Sequence, residues 1–311
     1  MKAVQYHQFG DPDVLVYEDA PKPAPAEGEA LVRVHAAGVN PADWKRRRGR
    51  TPPEHAIFPM IPGWDMSGVI EEINAPQSEF KVGDAVYGMI RFPTLGLTYA
   101  EFVAAPLEDL VLKPQNLTHI EAAAVPLAAL TVWQALFDVA GLQTGQRVLI
   151  QAAAGGVGHL AVQIAKQHGA YVIGTASAHN TDFVRQLGAD EVIDYTATPL
   201  HEAVQGVDVI LDSLGGATLA DSLRLLNPGG IAVSIVDWNP PVELAQQIGV
   251  RVQSHLVKLH QAQLIEITRL IEAGKLTPHV STVLPLAQAR QSHEMIEGKH
   301  TRGKIILDAL A

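Results

Sequence analysis

Residues 153–158 read Ala-Ala-Gly-Gly-Val-Gly. They follow an apolar run, Arg147 to Ala152, and lead into apolar Val157, Leu160, Ala161, Ile164 and Ala165 at helical spacing. This is a G-x-G-x-x-G pattern with Ala153 in the first glycine slot. Gly155 lets the backbone approach a pyrophosphate, and Gly158 lets the helix pack on the preceding strand. The N–H groups of Ala154, Gly155, Gly156, Val157 and Gly158 open that helix, whose dipole favours an anion. The chemistry implied is dinucleotide binding. An NAD site places an acid on the ribose hydroxyls about 20 residues further on, at the end of the next strand. That strand ends Gly174-Thr175-Ala176-Ser177, and no acid follows until Asp182. A carboxylate there would repel a 2′-phosphate and a small hydroxyl would not. Thr175, Ser177, His179 and Asn180 therefore favour NADPH.

Other chemistries are narrowed by what the chain lacks. With no cysteine there is no disulfide, thiolate nucleophile or Cys-ligated zinc, although zinc held by His, Asp and Glu stays open on that count. The 13 histidines are scattered, and no Ser-His-Asp order stands out. A formal charge of −10 disfavours nucleic acid, because phosphate binding rests on Lys and Arg. The local exception is Lys45, Arg46, Arg47, Arg48 and Arg50, read mainly as a solvated basic face. The N-terminus shows no signal-peptide pattern and no 18-residue apolar run stands out, so a soluble, cytoplasmic protein with no membrane partner is expected.

The elements that must position these residues fall into two textures. Residues 1–118 carry short strands (1–6, 30–37, 66–73, 81–88, 99–104) separated by Gly and Pro turns, which suggests a partly open β-barrel. From residue 119, strands and helices alternate through 258, as in a doubly wound parallel sheet. Helices over 259–273 and 286–297 and a strand over 303–307 break that rhythm and return to the first domain. The fold class expected is α/β. Domains are expected at 1–118 with 259–311, and at 119–258.

The segments HAAGVNPADWKRRRG, PGWDMSGVI, KVGDAVYG, PLAALTVWQAL, QAAAGGVGHLAVQIAKQHGA, TASAHNTDFVRQLGADEVIDY and RGKIIL span essentially the whole chain. Together they resemble the quinone oxidoreductase branch of the medium-chain dehydrogenase/reductases. The resemblance implies a GroES-like catalytic domain beside a Rossmann domain, an active site in the cleft between them, and a homodimer often made by the last Rossmann strands, here Val250 to Val257. Zinc-dependent relatives carry Cys at the position of Asn40 and His at that of Trp64, and a Cys-rich lobe where Met89 to Thr98 stand here. The resemblance therefore implies no zinc.

It also implies residue roles. Asn40 is a first candidate to bind a developing oxyanion, or else a turn residue before Pro41. Lys45 could orient the nicotinamide ribose, bind an oxyanion or donate a proton, and reads equally as part of the basic face. Asp43 and Asp65 could hold the Asn40 loop, and Trp64 could wall off the vacated metal pocket on the substrate side. Thr131 and Tyr195 are expected at the nicotinamide and adenosine ends, with Leu214, Ser234, Leu256 and Val257 along the cofactor. Arg302, Gly303 and Lys304 are expected to close over it. Acceptor contacts are expected from loops such as 49–60 and 91–98. The reaction expected is hydride transfer from NADPH to a quinone or an α,β-unsaturated carbonyl. An enoyl-thioester or single-metabolite enone reductase is one alternative, and a silent NADPH-binding sensor or structural protein is another.

Overall fold

In the computed structural model, which describes residues 1–50, 56–298 and 301–311, the chain divides into Met1–Leu127 with Lys258–Ala311, and Ala128–Val257. In the first unit β1 (Lys2–Gln5) pairs antiparallel with β2 (Val16–Asp19). The ten-residue strand β3 (Glu29–Gly38) follows, and its apolar positions are buried at 0–4% exposure from Ala30 to Val32. It leads through Asn40 into the short helix α1 (Pro41–Lys45), where Pro41 occupies a first-turn position whose missing N–H costs nothing. β4 (Asp65–Asn74), β5 (Ala85–Met89), β6 (Phe102–Pro106) and β7 (Leu110–Leu112) follow, then α2 (His119–Ala122), capped by Thr118 and Glu121.

The second unit begins within the helix α3 (Pro126–Trp133), at Ala128. There β8 (Arg147–Ile150), α4 (Gly158–Gln167), β9 (Tyr171–Ala176), α5 (Thr181–Gln186), β10 (Glu191–Asp194), α6 (Leu200–Ala203), β11 (Val207–Asp212), α7 (Gly216–Ser222), β12 (Leu226–Ser234), α8 (Val242–Gln247) and β13 (Arg251–Ser254) alternate. Their strands form a six-stranded parallel sheet in the order β10-β9-β8-β11-β12-β13. The order reverses between β8 and β11, and ligands of such sheets bind at that switch, beyond the carboxyl ends of the strands. Leu149, Ile173, Ile210 and Ala232, all at 0% exposure, carry the core of this sheet.

The chain then returns to the first unit as α9 (Gln261–Glu272), β14 (Val280–Pro285), α10 (Ala289–Glu297) and β15 (Lys304–Asp308). One sheet runs β14-β15-β3-β4-β5-β7. β3 shares its second edge, with β6 along Glu29–Arg33 and β15 along Ala36–Gly38. β3 and β4 slip register twice, which bends the sheet towards the partly open barrel expected.

Three expectations change. Residues 119–127 belong to the first unit, because α2 packs on β3, β4, β14 and β15, so the change of texture at 119 precedes the boundary at 128. The strand expected over 250–257 ends at Ser254, where its neighbour β12 also ends. The helical stretch His119–Val139 is long and apolar enough to cross a bilayer, contrary to expectation, and 78% of its apolar window is buried inside the protein. The strands β2, β7 and β14 were not legible, since each is short or lacks a clean apolar alternation.

Candidate active site

The glycine turn lies between β8 and α4, next to the switch point. Ala152 adopts φ 48°, the left-handed region, and its N–H donates to Thr175 Oγ1 at 3.1 Å. Ala153 N–H donates to Thr175 O at 2.9 Å, so β9 holds the turn from the side. A Cβ on Gly158 would stand 2.3 Å from Ala152 O and 2.7 Å from Ala153 Cα, so only glycine lets α4 begin this close to the strand. A Cβ on Gly155 would meet Ala152 O at 3.2 Å. The first N–H groups of a helix have no partner within it. A tight turn lacking side chains, opening a ten-residue helix, fits the pyrophosphate of a dinucleotide.

Around it, the expected cofactor residues occupy the carboxyl edge of the sheet. Ser177, His179 and Asn180 follow β9 as one cluster: Asn180 Nδ2 donates to Ser177 Oγ at 3.3 Å, and Ser177 Oγ lies 3.3 Å from His179 Nδ1. Arg185, just downstream, is paired with Asp182 at 2.9 Å. Tyr195 follows β10, Leu214 follows β11 and Leu256 follows β13, and these apolar side chains are 58%, 53% and 43% exposed. Thr131 on α3 and Val257 are buried. Thr175 and Ser234 are buried as well, and their hydroxyls serve the protein. Thr175 holds the turn, and Ser234 donates to Asp212 Oδ2 at 2.5 Å. Asp212, outside the set of expected residues, also accepts the N–H groups of Leu214 (3.1 Å) and Gly215 (3.0 Å) and so shapes the loop after β11. Its place at the end of an apolar run, VDVILD, was the available signal.

In the first unit, Asn40, Asp43, Asp65, Tyr99 and Lys304 form one buried polar cluster, each at most 3% exposed. Asn40 N–H donates to Asp43 Oδ2 at 2.6 Å, which also accepts the Tyr99 hydroxyl at 2.9 Å. Asn40 Nδ2 donates to Asp65 Oδ2 at 2.9 Å, while Asp65 Oδ1 accepts Leu127 N–H at 2.8 Å. Lys304 Nζ donates to Asn40 Oδ1 at 2.5 Å and to Val39 O at 3.1 Å, and stands 3.7 Å from Asp65. Burial pushes Asp43 up to about 7, against the hydrogen bonds from Asn40 and Tyr99 that pull it down. Burial also raises Asp65 and lowers Lys304, and the charge of each opposes the shift of the other.

This arrangement corrects several roles. Asn40 is 2% exposed, and both ends of its amide are engaged by protein, so it organises the loop instead of presenting a donor at a surface. Asp65 is 0% exposed and holds Asn40, Leu127 and Lys304, so its carboxylate serves the protein and not a substrate pocket. Lys304 does not close over a cofactor, since its amine is turned into this cluster. Gly303 turns the chain into β15 with φ 62°, and Arg302 precedes it. Lys45 sits half-buried at the end of α1, with its ammonium 5.9 Å from the Trp44 ring centroid. The basic run is not wholly a surface: Arg47 is 0% exposed, paired with Glu297 and donating to Gly10 O at 3.0 Å.

Trp64 is 4% exposed, donates its indole N–H to Thr94 O at 2.9 Å and meets Phe92 edge-on. Thr94 belongs to one of the loops expected to contact an acceptor. With Leu95, Leu97, Met1, Ile61 and Phe102, Thr94 lines a cavity of about 450 Å³. The other such loop, 49–60, lies partly outside the described residues. An amide, an indole N–H and an ammonium are not zinc ligands, which are thiolates, imidazoles and carboxylates. Of the cluster around Asn40 only Asp43 and Asp65 are of zinc-ligand type, and Asp43 Oδ2 and both Asp65 oxygens are taken up by Asn40, Tyr99, Leu127 and Lys304. Two carboxylates so engaged beside an ammonium do not fit that metal, and among the described residues no three His, Asp or Glu side chains gather to hold one.

A strand-rich unit joined to a doubly wound nucleotide unit defines a medium-chain dehydrogenase/reductase. The alcohol dehydrogenase GroES-like domain family matches residues 26–115, and the zinc-binding dehydrogenase family matches residues 187–307. The chain is 34% identical to the quinone oxidoreductase of Mus musculus, across 99% of this chain and 97% of that one. The structure of the quinone oxidoreductase from Coxiella burnetii superposes with a TM-score of 0.94 at 36% identity, covering 99% of both chains. That of the Escherichia coli quinone oxidoreductase complexed with NADPH gives 0.90 at 28% identity, covering 99% of this chain and 100% of that one. The chain belongs to the quinone oxidoreductase branch of this superfamily and is an NAD(P)H-dependent oxidoreductase.

Proposed function

We propose that the protein reduces a quinone or an α,β-unsaturated carbonyl at the expense of NADPH, without zinc. The observation that carries this reading is the donor set around Asn40. Alcohol oxidation of the zinc type relies on a Lewis acid to lower the alcohol's pKa, and an amide and an ammonium beside two carboxylates already engaged by Asn40, Tyr99, Leu127 and Lys304 would not bind one. Acceptors that are already electrophilic need no such ion. NADPH, when bound, supplies the hydride. The Gly155–Gly158 turn holds the pyrophosphate, and the hydroxyl, imidazole and amide of Ser177, His179 and Asn180 take the 2′-phosphate, with the nearby Asp194 carboxylate already bonded to Ala178 N–H. As electrons reach the acceptor, negative charge develops on its oxygen. Lys45 is the residue we assign to that oxygen: its ammonium stabilises the anion, donates the proton that completes the reduction, and recovers a proton from water. The open edge of β13 supports the homodimer that the family resemblance implies.

The test is oxidation of NADPH and of NADH against a panel of quinones, enals, enones and enoyl thioesters, with and without chelator. Expected is faster turnover with NADPH, unchanged by chelator, on quinones or enones. Activity confined to thioesters or to one metabolite favours the narrower reductase. Tight NADPH binding without turnover favours a sensor and sinks the enzymatic reading. Loss of activity on chelation sinks the zinc-free one.

A further inference from the structure

Lys304 ends up inside the first unit because of the residue before it. Gly303 has φ 62°, and a Cβ there would stand 2.2 Å from His279 O. The same carbonyl accepts Lys304 N–H at 2.9 Å, and the chain enters β15 with the Lys304 side chain turned inward. One residue on, Ile305 O accepts Val39 N–H at 3.0 Å, so β15 is stitched to the chain just ahead of Asn40.

An ammonium group has three hydrogens to give and no acceptor. Here Asn40 Oδ1 and Val39 O lie within hydrogen-bond distance, at 2.5 and 3.1 Å, while Asp65 is further off at 3.7 Å. A lysine present only to offset Asp65 would be expected to sit closer to the carboxylate than to the amide. The polarity of the chain of contacts follows from this. Lys304 can only donate, so it faces the oxygen end of Asn40, and ionised Asp65 can only accept, so it takes the nitrogen end. Asn40 is bracketed in one of its two amide orientations. Its backbone N–H, at the entry to α1, is free to bond Asp43, and α1 carries Lys45 at its end.

We propose that Lys304 is a positioning residue for the reduction: its buried ammonium selects the orientation of the Asn40 amide and thereby holds the Asn40–Lys45 segment in place. The catalytic part of this inference rests on the assignment of Lys45 to the acceptor oxygen. Without Lys304, Asn40 Oδ1 and Val39 O lose a donor and Asp65 loses its cation. Two variants separate the effects. K304M removes both the charge and the donors, and K304M/D65N removes the buried charges together while still depriving Asn40 of its donor. Because D65N leaves one acceptor oxygen for Asn40 Nδ2 and Leu127 N–H, D65N alone is the reference against which the double variant is read.

The readouts are melting temperature, kcat and KM, and deuterium uptake across residues 39–45. For K304M, kcat should fall about tenfold or more with KM for NADPH nearly unchanged. Uptake across 39–45 should quicken about fivefold or more, with the 153–158 turn unaffected. The double variant should recover much of the melting temperature but keep the low kcat and the fast uptake. Full recovery of kcat and of wild-type uptake in the double variant would overturn the proposal, because Lys304 would then only neutralise Asp65. So would wild-type uptake in K304M. Should K304M fail to fold, the double variant read against D65N decides. A wild-type protein with no turnover sinks the proposed function, and uptake still decides whether Lys304 positions Asn40.

Discussion

Tyr99 donates its hydroxyl to Asp43 Oδ2 at 2.9 Å, joining residues 56 positions apart in a site where both side chains are buried. Burial favours the neutral form of both groups: Tyr99 is raised well above its ordinary value, and Asp43 is raised to about 7.

The Asp43 shift sets a pH dependence. A carboxyl raised on folding binds a proton that the unfolded chain has released, so folding is favoured where that proton is held. Its contribution is complete below the unfolded value of about 3.9 and is lost as pH rises through about 7. The melting temperature of the wild type should therefore fall between about pH 4 and 7 relative to D43N, whose curve lacks this slope. Parallel curves for the two proteins would show that Asp43 titrates normally.

His293, on α10, gives the opposite sign. It is 0% exposed, it packs edge-on against Tyr99, and neither ring nitrogen has a hydrogen-bond partner among the described residues. Burial, with help from the Arg47 charge, lowers it to about 3. A histidine buried neutral stabilises above its unfolded pKa, and that stability is lost as pH falls from about 6.5 towards 3. H293F keeps a ring in the site and cannot charge. Acid unfolding of H293F should begin at a lower pH than that of the wild type, measured by circular dichroism, and an unchanged acid midpoint would refute the assignment.

Gly158 is the sterically least replaceable position of the nucleotide turn. In G158A the new methyl would stand 2.3 Å from Ala152 O, so either the turn or α4 must shift. The expected cost is about 1–3 kcal/mol of stability, as for other overpacked sites. NAD(P)H affinity should fall about tenfold or more, because the helix N-terminus moves off the pyrophosphate. Titration by nucleotide fluorescence checks this, and wild-type affinity in a folded G158A would show that the turn does not carry the phosphates.

The preference for NADPH is tested at Ser177. S177D places a carboxylate where the 2′-phosphate is proposed to lie. The ratio of kcat/KM for NADPH over NADH should drop about tenfold or more, equivalent to about 1.4 kcal/mol. A ratio that does not move would place the phosphate elsewhere.

G303A tests how Lys304 is delivered. Alanine is strained at φ 62° and its methyl would meet His279 O at 2.2 Å. The variant should lose stability by about 1 kcal/mol or more. It should also reproduce part of the K304M defect in kcat while leaving nucleotide affinity intact. Normal kcat in a destabilised G303A would separate the turn from the Asn40 cluster.

The sequence by itself determined the local and the repeated. The alternation of apolar strands with amphipathic helices from Arg147 onward, and glycines at the one bend that needs them, follow from periodicity and backbone sterics that act within a few residues. They were enough to place the nucleotide turn and the doubly wound sheet. The tertiary structure decided the rest, because burial and pairing depend on residues far apart in the chain. Nothing near Lys304 says that it meets Asn40, 264 positions away, or that Arg47 in a basic run is sealed against Glu297. A hydroxyl such as that of Ser234 or Thr175 reads as a ligand contact until its partner inside the protein is seen. Electrostatics is the least local of these forces. The charge state of Asp43 was set only when the fold removed it from water and placed Asn40, Tyr99 and Lys304 around it.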